Sequence, residues 1–186
     1  HKFIILDELL EKKPHYISFW NALNHYGLTE QIPNTVQVMV TQRRRNFHFL
    51  GAKFEFITVK HLGEWKEEKI ANHSIRMATI EQLLIDCLTH PRYAGGIEEI
   101  SKAIWNAKDE INWNKLKELT LQSNDAVQRR LGYLAEFWKL PLKISIRPTG
   151  WRWLDPSASK IEKGRSEKWR LLLNVEERKL KQWMES

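Results

Sequence analysis

The sequence contains a single cysteine, Cys87. That excludes an internal disulfide framework and any zinc site built from several thiolates, and it fits a reducing, cytoplasmic setting. No apolar run reaches the ~20 residues needed to cross a bilayer. The early stretch "FIILDELL" is broken by acids and lacks the cleavage chemistry of a signal peptide, so no membrane partner is expected. Seven histidines are present, but none stands in an HExxH or HxxxH pair. No metal site and no cofactor are expected. A Gly-rich phosphate cradle is also missing, Gly95-Gly96 reading as a turn. No Ser or activated Cys occupies a recognisable nucleophile elbow, so no catalytic residue is assigned.

What is present is a core and a charge imbalance. Apolar residues make up 42% of the 186 and nine residues are Trp. This is a folding composition, not a disordered one. The net charge is +7. Residues 139–186 carry twelve Lys or Arg against six acids, whereas residues 1–138 carry eighteen against seventeen. A basic C-terminal third points to a polyanionic partner, with a solvated charged surface as the competing explanation.

Residues 3–12 read as a short amphipathic helix before Pro14. Tyr16, Phe19, Trp20, Leu23 and Tyr26 then recur at helical spacing, with Gly27 placed as a C-cap. "TVQVMVTQ", "FHFLG" and "KFEFITVK" alternate as strands, and their short links predict an antiparallel meander. "NHSIRMA" adds a further strand. Thr79 and Gln82 form a capping box that opens a helix ending at His90-Pro91. Three more helices follow, carried by Ile97, Ile100 and Ile104, by Asn112 to Thr120, and by Asn124 to Trp138. "GWRWLDPS" and "KWRLLLNV" predict a C-terminal hairpin around the loop "ASKIEKGRSE", a basic subregion over 145–175, with a last short helix over 176–184. The expected fold is α+β, one domain over residues 1–186, in which an antiparallel sheet packs with about four to six helices.

Four groups of residues invite a functional reading. Asn24, His25 and Tyr26 could edge an active site, but they fall in the last turn of a helix, where a His meets the negative end of the dipole. "EWK" at Glu64 has the acid-x-Lys form of metal-dependent nuclease cores, yet no Asp lies between Asp7 and Glu64 to complete one. Arg43, Arg44 and Arg45 repel one another unless an anion joins them, and phosphate suits their fork geometry. Lys163, Arg165 and Lys168 alternate with Trp residues that could stack bases or simply line a hairpin. The last two groups, Arg43, Arg44, Arg45, Lys163, Arg165 and Lys168, are the candidate nucleic-acid contacts.

Several ordered stretches resemble the C-terminal domain of AbiEi family antitoxins. They are "YISFWNALNHYGLTEQIPNTVQVMVTQRRR", "IRMATIEQLLIDCLTHPRYAGGIEEI", "RRLGYLAEF", and "WLDPS" with "KGRSEKWRLLLN". The resemblance implies a non-enzymatic antitoxin of a type IV toxin-antitoxin, phage-defence system. Such an antitoxin counters a nucleotidyltransferase-like toxin, generally without a stable complex, and represses its own operon by binding promoter DNA. That DNA reading belongs to an N-terminal winged helix. Only fifteen residues precede Tyr16, so this chain is expected to lack it. The alternatives are a generic nucleic-acid-binding module and a cryptic enzyme modifying the toxin.

Overall fold

The structure, a computed structural model, describes residues 2–186. It divides within the third helix into two compact units, one ending at Leu83 and one beginning at Leu84. The architecture is α+β, with a six-stranded sheet in the first unit and a three-stranded sheet in the second.

The first unit contains α1 (Ile5–Leu9), β1 (His15–Ile17), α2 (Phe19–His25), β2 (Thr35–Val40), β3 (Phe47–Phe49), β4 (Ala52–Thr58), β5 (Trp65–Ile70) and β6 (His73–Ala78). The strand order is β3-β4-β2-β1-β6-β5. The expected antiparallel meander does not form: β2 and β4 pair in parallel, from Thr35 opposite Lys53 to Val40 opposite Thr58. A short link suffices because β3 is itself the return path. Residues 41–46 cross the position of β4, about 10 Å or two strand spacings. β3 then runs back antiparallel along the far edge of β4, with Phe47 opposite Phe54.

The aromatic helix also starts later than its periodicity suggests. Tyr16 lies in β1, opposite Met39 of β2, and the Ser18 amide donates to the Gln37 carbonyl at 3.1 Å. Phe19 then turns the chain through a left-handed φ of 55° into α2. Strand and helix residues at this entry are both buried, so one apolar spacing describes either. The helix end matches expectation. Gly27 takes φ 68°, its amide donates to Asn24, and the Leu28 amide reaches back to Leu23 at 2.8 Å. This pair of bonds is a Schellman cap.

The β5–β6 hairpin closes over Ala71 and Asn72, both at positive φ, the geometry of a type I′ turn. Strand β5 gave little apolar signal because it is a charged edge, "WKEEKI", a composition that blunts edge-to-edge pairing.

Helix α3 (Ile80–Thr89) carries the division, and in the second unit its remainder is followed by a 3-10 turn (Pro91–Ala94), then α4 (Ile97–Ala107), α5 (Trp113–Gln122) and α6 (Asp125–Phe137). Asn112 and Asn124 cap α5 and α6, each side chain accepting an amide at 3.0 Å. Strands β7 (Arg152–Trp153), β8 (Gly164–Ser166) and β9 (Leu171–Leu173) follow, with α7 (Glu177–Lys181) packed on α4. The C-terminal hairpin differs from the one expected. β7 pairs with β9 in parallel, and the hairpin proper joins β8 to β9. The strand β8 therefore comes from the segment read as loop.

Between α6 and β7 the chain has no regular structure, and buried arginines hold it. Arg129, 1% exposed, donates to the carbonyls of Thr149, Gly150 and Arg170 at 2.7–3.3 Å. Its Nε meets Asp125, which also receives Arg152 at 2.7 Å. Burial pushes the Asp125 carboxyl up, but the hydrogen bonds from Arg152 and Arg129 outweigh it and hold the group below its ordinary range. Arg130 ties the Leu88 carbonyl to the same helix at 3.0 Å. Asp155 accepts the Ile97 amide at the start of α4, and Asn174 brackets Asp155 through both its amide and its carbonyl.

Gly132 lets the Trp169 indole lie directly on α6. A Cβ there would stand 2.2 Å from the ring. Trp169 is buried and its Nε1 donates to Glu136 at 2.9 Å. Gly132→Ala is therefore expected to lower stability by about 1–3 kcal/mol, read from urea unfolding, despite the better helix propensity of Ala. An unchanged midpoint would remove the ring packing as the reason for glycine.

Candidate nucleic-acid interface

The loop between β2 and β3 presents the arginine triplet in two roles. Arg44 is half-buried and its Nη1 donates to the Leu9 carbonyl at 3.2 Å, satisfying the C-terminal end of α1. Arg43 and Arg45 are exposed, and neither meets a carboxylate among the described residues. Together the three arginines line a cleft of about 340 Å³ with Leu9, Gln42, Phe47 and Phe56. Phe47 stacks on Phe54 at 4.8 Å and leans on Phe56 at 5.9 Å. The β3 strand that carries Phe47 is an outer strand of the sheet. Free guanidiniums beside half-exposed aromatic faces are the combination that takes a phosphate and stacks a base. The aromatic half of this cleft was missed in the sequence, because Phe47 and Phe56 lie nine residues apart and meet only through the β3–β4 pairing.

The C-terminal cations are engaged differently. Lys163 approaches Glu176 at 3.6 Å, Arg165 is paired with Glu162, and Lys168 with Glu136. The tryptophans expected as stacking platforms already face cations. Both Arg165 and Arg170 sit about 5 Å from the Trp151 ring centre, Lys160 lies over Trp153, and Lys168 lies over Trp169. Nor do the three converge: Lys163 lines a cleft with Asp155 and Asn174, Lys168 another with Trp169 and Leu140. These exposed pairs are individually weak, so an anion could exchange into them, but no ready-made site is present.

The remaining candidates are structural in their contacts. His25 Nε2 lies 3.2 Å from Glu68, and the Tyr26 hydroxyl donates to the Ala78 carbonyl at 2.7 Å. Both bonds fasten α2 to the β5–β6 hairpin. Lys66 of "EWK" pairs with Glu68 at 2.6 Å. Cys87 is fully buried, and burial pushes its thiol well up, which leaves it unreactive at neutral pH. Among the described residues no group of three or more His, Cys, Asp or Glu could hold a metal ion.

The sequence profile of the AbiEi antitoxin C-terminal domain matches residues 16–137, from β1 through the end of α6. The chain belongs to this family. The match includes every residue lining the arginine cleft except Leu9, and it stops short of Lys163, Arg165 and Lys168. This AbiEi-type domain is also similar in fold to the crystal structure of the RV2827C protein from Mycobacterium tuberculosis. The TM-score is 0.67 over 100% of this chain and 72% of that one, at 12% sequence identity. No curated protein matches the sequence. No helix among the described residues is long and apolar enough to cross a membrane.

The two roles within the triplet separate by stability. Arg44→Ala is expected to lower the melting temperature, because it leaves the Leu9 carbonyl without its donor. Arg43→Ala with Arg45→Ala is expected to leave the unfolding free energy within about 0.5 kcal/mol of the parent, as exposed positions usually do, and so to move the melting temperature little. Equal losses in a thermal melt would show that all three arginines are structural.

Proposed function

We propose that this domain is the effector part of a type IV antitoxin in an abortive-infection system. It counteracts a nucleotidyltransferase-like toxin without catalysing a reaction and without a stable complex. In a longer form that carries a winged helix, it represses its own operon. The observation that carries this reading is the family match over residues 16–137. The wiring of its polar residues supports a non-enzymatic role. His25, Tyr26 and Lys66 are committed to hydrogen bonds, ion pairs and packing, and Cys87 is enclosed.

Within that reading Arg43 and Arg45 bind phosphates of promoter DNA, and Phe47 and Phe56 border the same cleft. Lys163, Arg165 and Lys168 contribute a more diffuse attraction, because each must exchange its carboxylate partner for a phosphate.

Co-expression of residues 1–186 with the cognate toxin is expected to restore growth. Continued arrest, with the domain present and folded, would overturn the antitoxin assignment. For DNA, the Arg43→Ala, Arg45→Ala double variant is expected to weaken binding across sequences. The slope of log K against log salt should fall by about two, one for each phosphate that an arginine no longer neutralises. An unchanged slope would remove the cleft from the DNA-binding surface.

A further inference from the structure

Residues 142–147, in the irregular stretch after α6, have the side-chain pattern of a strand without a strand partner. Leu142 and Ile144 are buried, at 5% and 9% exposure, and Ile146 is half-buried. Lys143, Ser145 and Arg147 alternate with them and are exposed. Period-two burial is what an extended chain shows when one face is packed. Yet the segment belongs to no sheet, and none of its backbone N–H or C=O groups meets a hydrogen-bond partner among the described residues. Elsewhere in this unit irregular backbone is fastened: Thr149 and Gly150 by Arg129, and residues 155–159 by Asn174. Six successive residues are left out of that network.

Alongside runs a cleft of about 410 Å³. Leu140, Leu142 and Ile144 give it an apolar wall, and Lys139, Lys143 and Lys168 ring it with positive charge. Lys139 and Lys143 have no carboxylate partner among the described residues. Lys168 meets Glu136.

We propose that residues 142–147 take an added β-strand from an acidic polypeptide segment, whose backbone completes the ladder while its apolar side chains enter the adjoining cleft and its carboxylates meet Lys139, Lys143 and Arg147. Three features select this occupant. The segment leaves both donors and acceptors open, and only another peptide backbone supplies both in register. A nucleic-acid backbone offers phosphate acceptors and would leave the carbonyls unpaired. A second copy of the same segment, paired antiparallel, would bring Lys143 and Arg147 against their own kind, and facing like charges are destabilising. This surface lies wholly within the second unit and depends on neither the arginine cleft nor the antitoxin assignment.

The test uses the whole chain and a labelled peptide of about eight residues, the length of an ordinary strand, alternating Glu with Val. Its binding is followed by fluorescence anisotropy and by amide hydrogen exchange. The amides of residues 142–147 are expected to exchange fast in the free protein and to slow on peptide addition. Lys143→Glu with Arg147→Glu, both exposed, is expected to weaken binding about ten-fold while the melting temperature holds. Four results would overturn the proposal. These are slow exchange of the six amides without peptide, peptide binding that leaves them fast, equal binding by a Lys–Val peptide, or protection by oligothymidylate instead. Dimerisation of the free chain that protects these amides would assign the edge to a second copy and overturn it as well.

Discussion

The guanidinium of Arg129 organises the last third of the chain. From residue 138 to 151 there is neither helix nor strand to satisfy the backbone. An Arg supplies five donors in a fixed fork, and here one buried side chain closes on three carbonyls from two separate loops. The charge is neutralised at its root by Asp125, one turn earlier on the same helix. Burying a cation is costly unless it is paired and hydrogen-bonded, so the carbonyl bonds and the ion pair must form together. Arg130, the next residue, holds the Leu88 carbonyl at 3.0 Å and reaches the Trp153 carbonyl at 3.4 Å. Two successive arginines thus fasten α6 to the elements before and after it.

Much of the helical region was legible in the sequence because its signals are local. Asn112 and Asn124 cap the helices they precede, and Thr79 Oγ1 accepts the Gln82 amide at 3.3 Å as a capping residue should. The reciprocal half of that box took another course: Gln82 Oε1 accepts from Glu64, against Gly63, where a Cβ would collide with it. The illegible parts are long-range. Nothing in "TVQVMVTQ" or "KFEFITVK" says that they pair in parallel, since direction is set by how the link is routed. β5 escaped notice because an edge strand of Lys and Glu buries little. "RRLGYLAEF" looked like an ordinary helix motif, whereas its two arginines stand in for an absent sheet.

The candidate site divides in the same way. The basic triplet was visible as sequence, but not its separation into one arginine that satisfies a helix end and two that stay free. The C-terminal cations were visible as a charge excess, but their carboxylates lie both near and far: Glu162 is three residues from Arg165, and Glu136 is thirty-two residues before Lys168. Net charge therefore overstated what this third of the chain leaves open to an anion. The alternating segment after Pro141 carried a strand signal all along. What it lacks is a partner, and a sequence pattern does not report that.

The interleaved sheet of the first unit also bears on how the protein is made. β1 is central, pairing with β2 on one side and with β6 on the other, where Ile17 stands opposite Met77. Sixty residues separate those two positions. Until β6 has left the ribosome, one edge of β1 stays open, and the parallel β2–β4 pair can gather beside it only as an incomplete half-sheet. Such non-local pairing is slow to form and exposes strand edges while it waits. A nascent chain stalled before residue 78 therefore presents buried-type strand surface, a liability that ends when the last hairpin folds in.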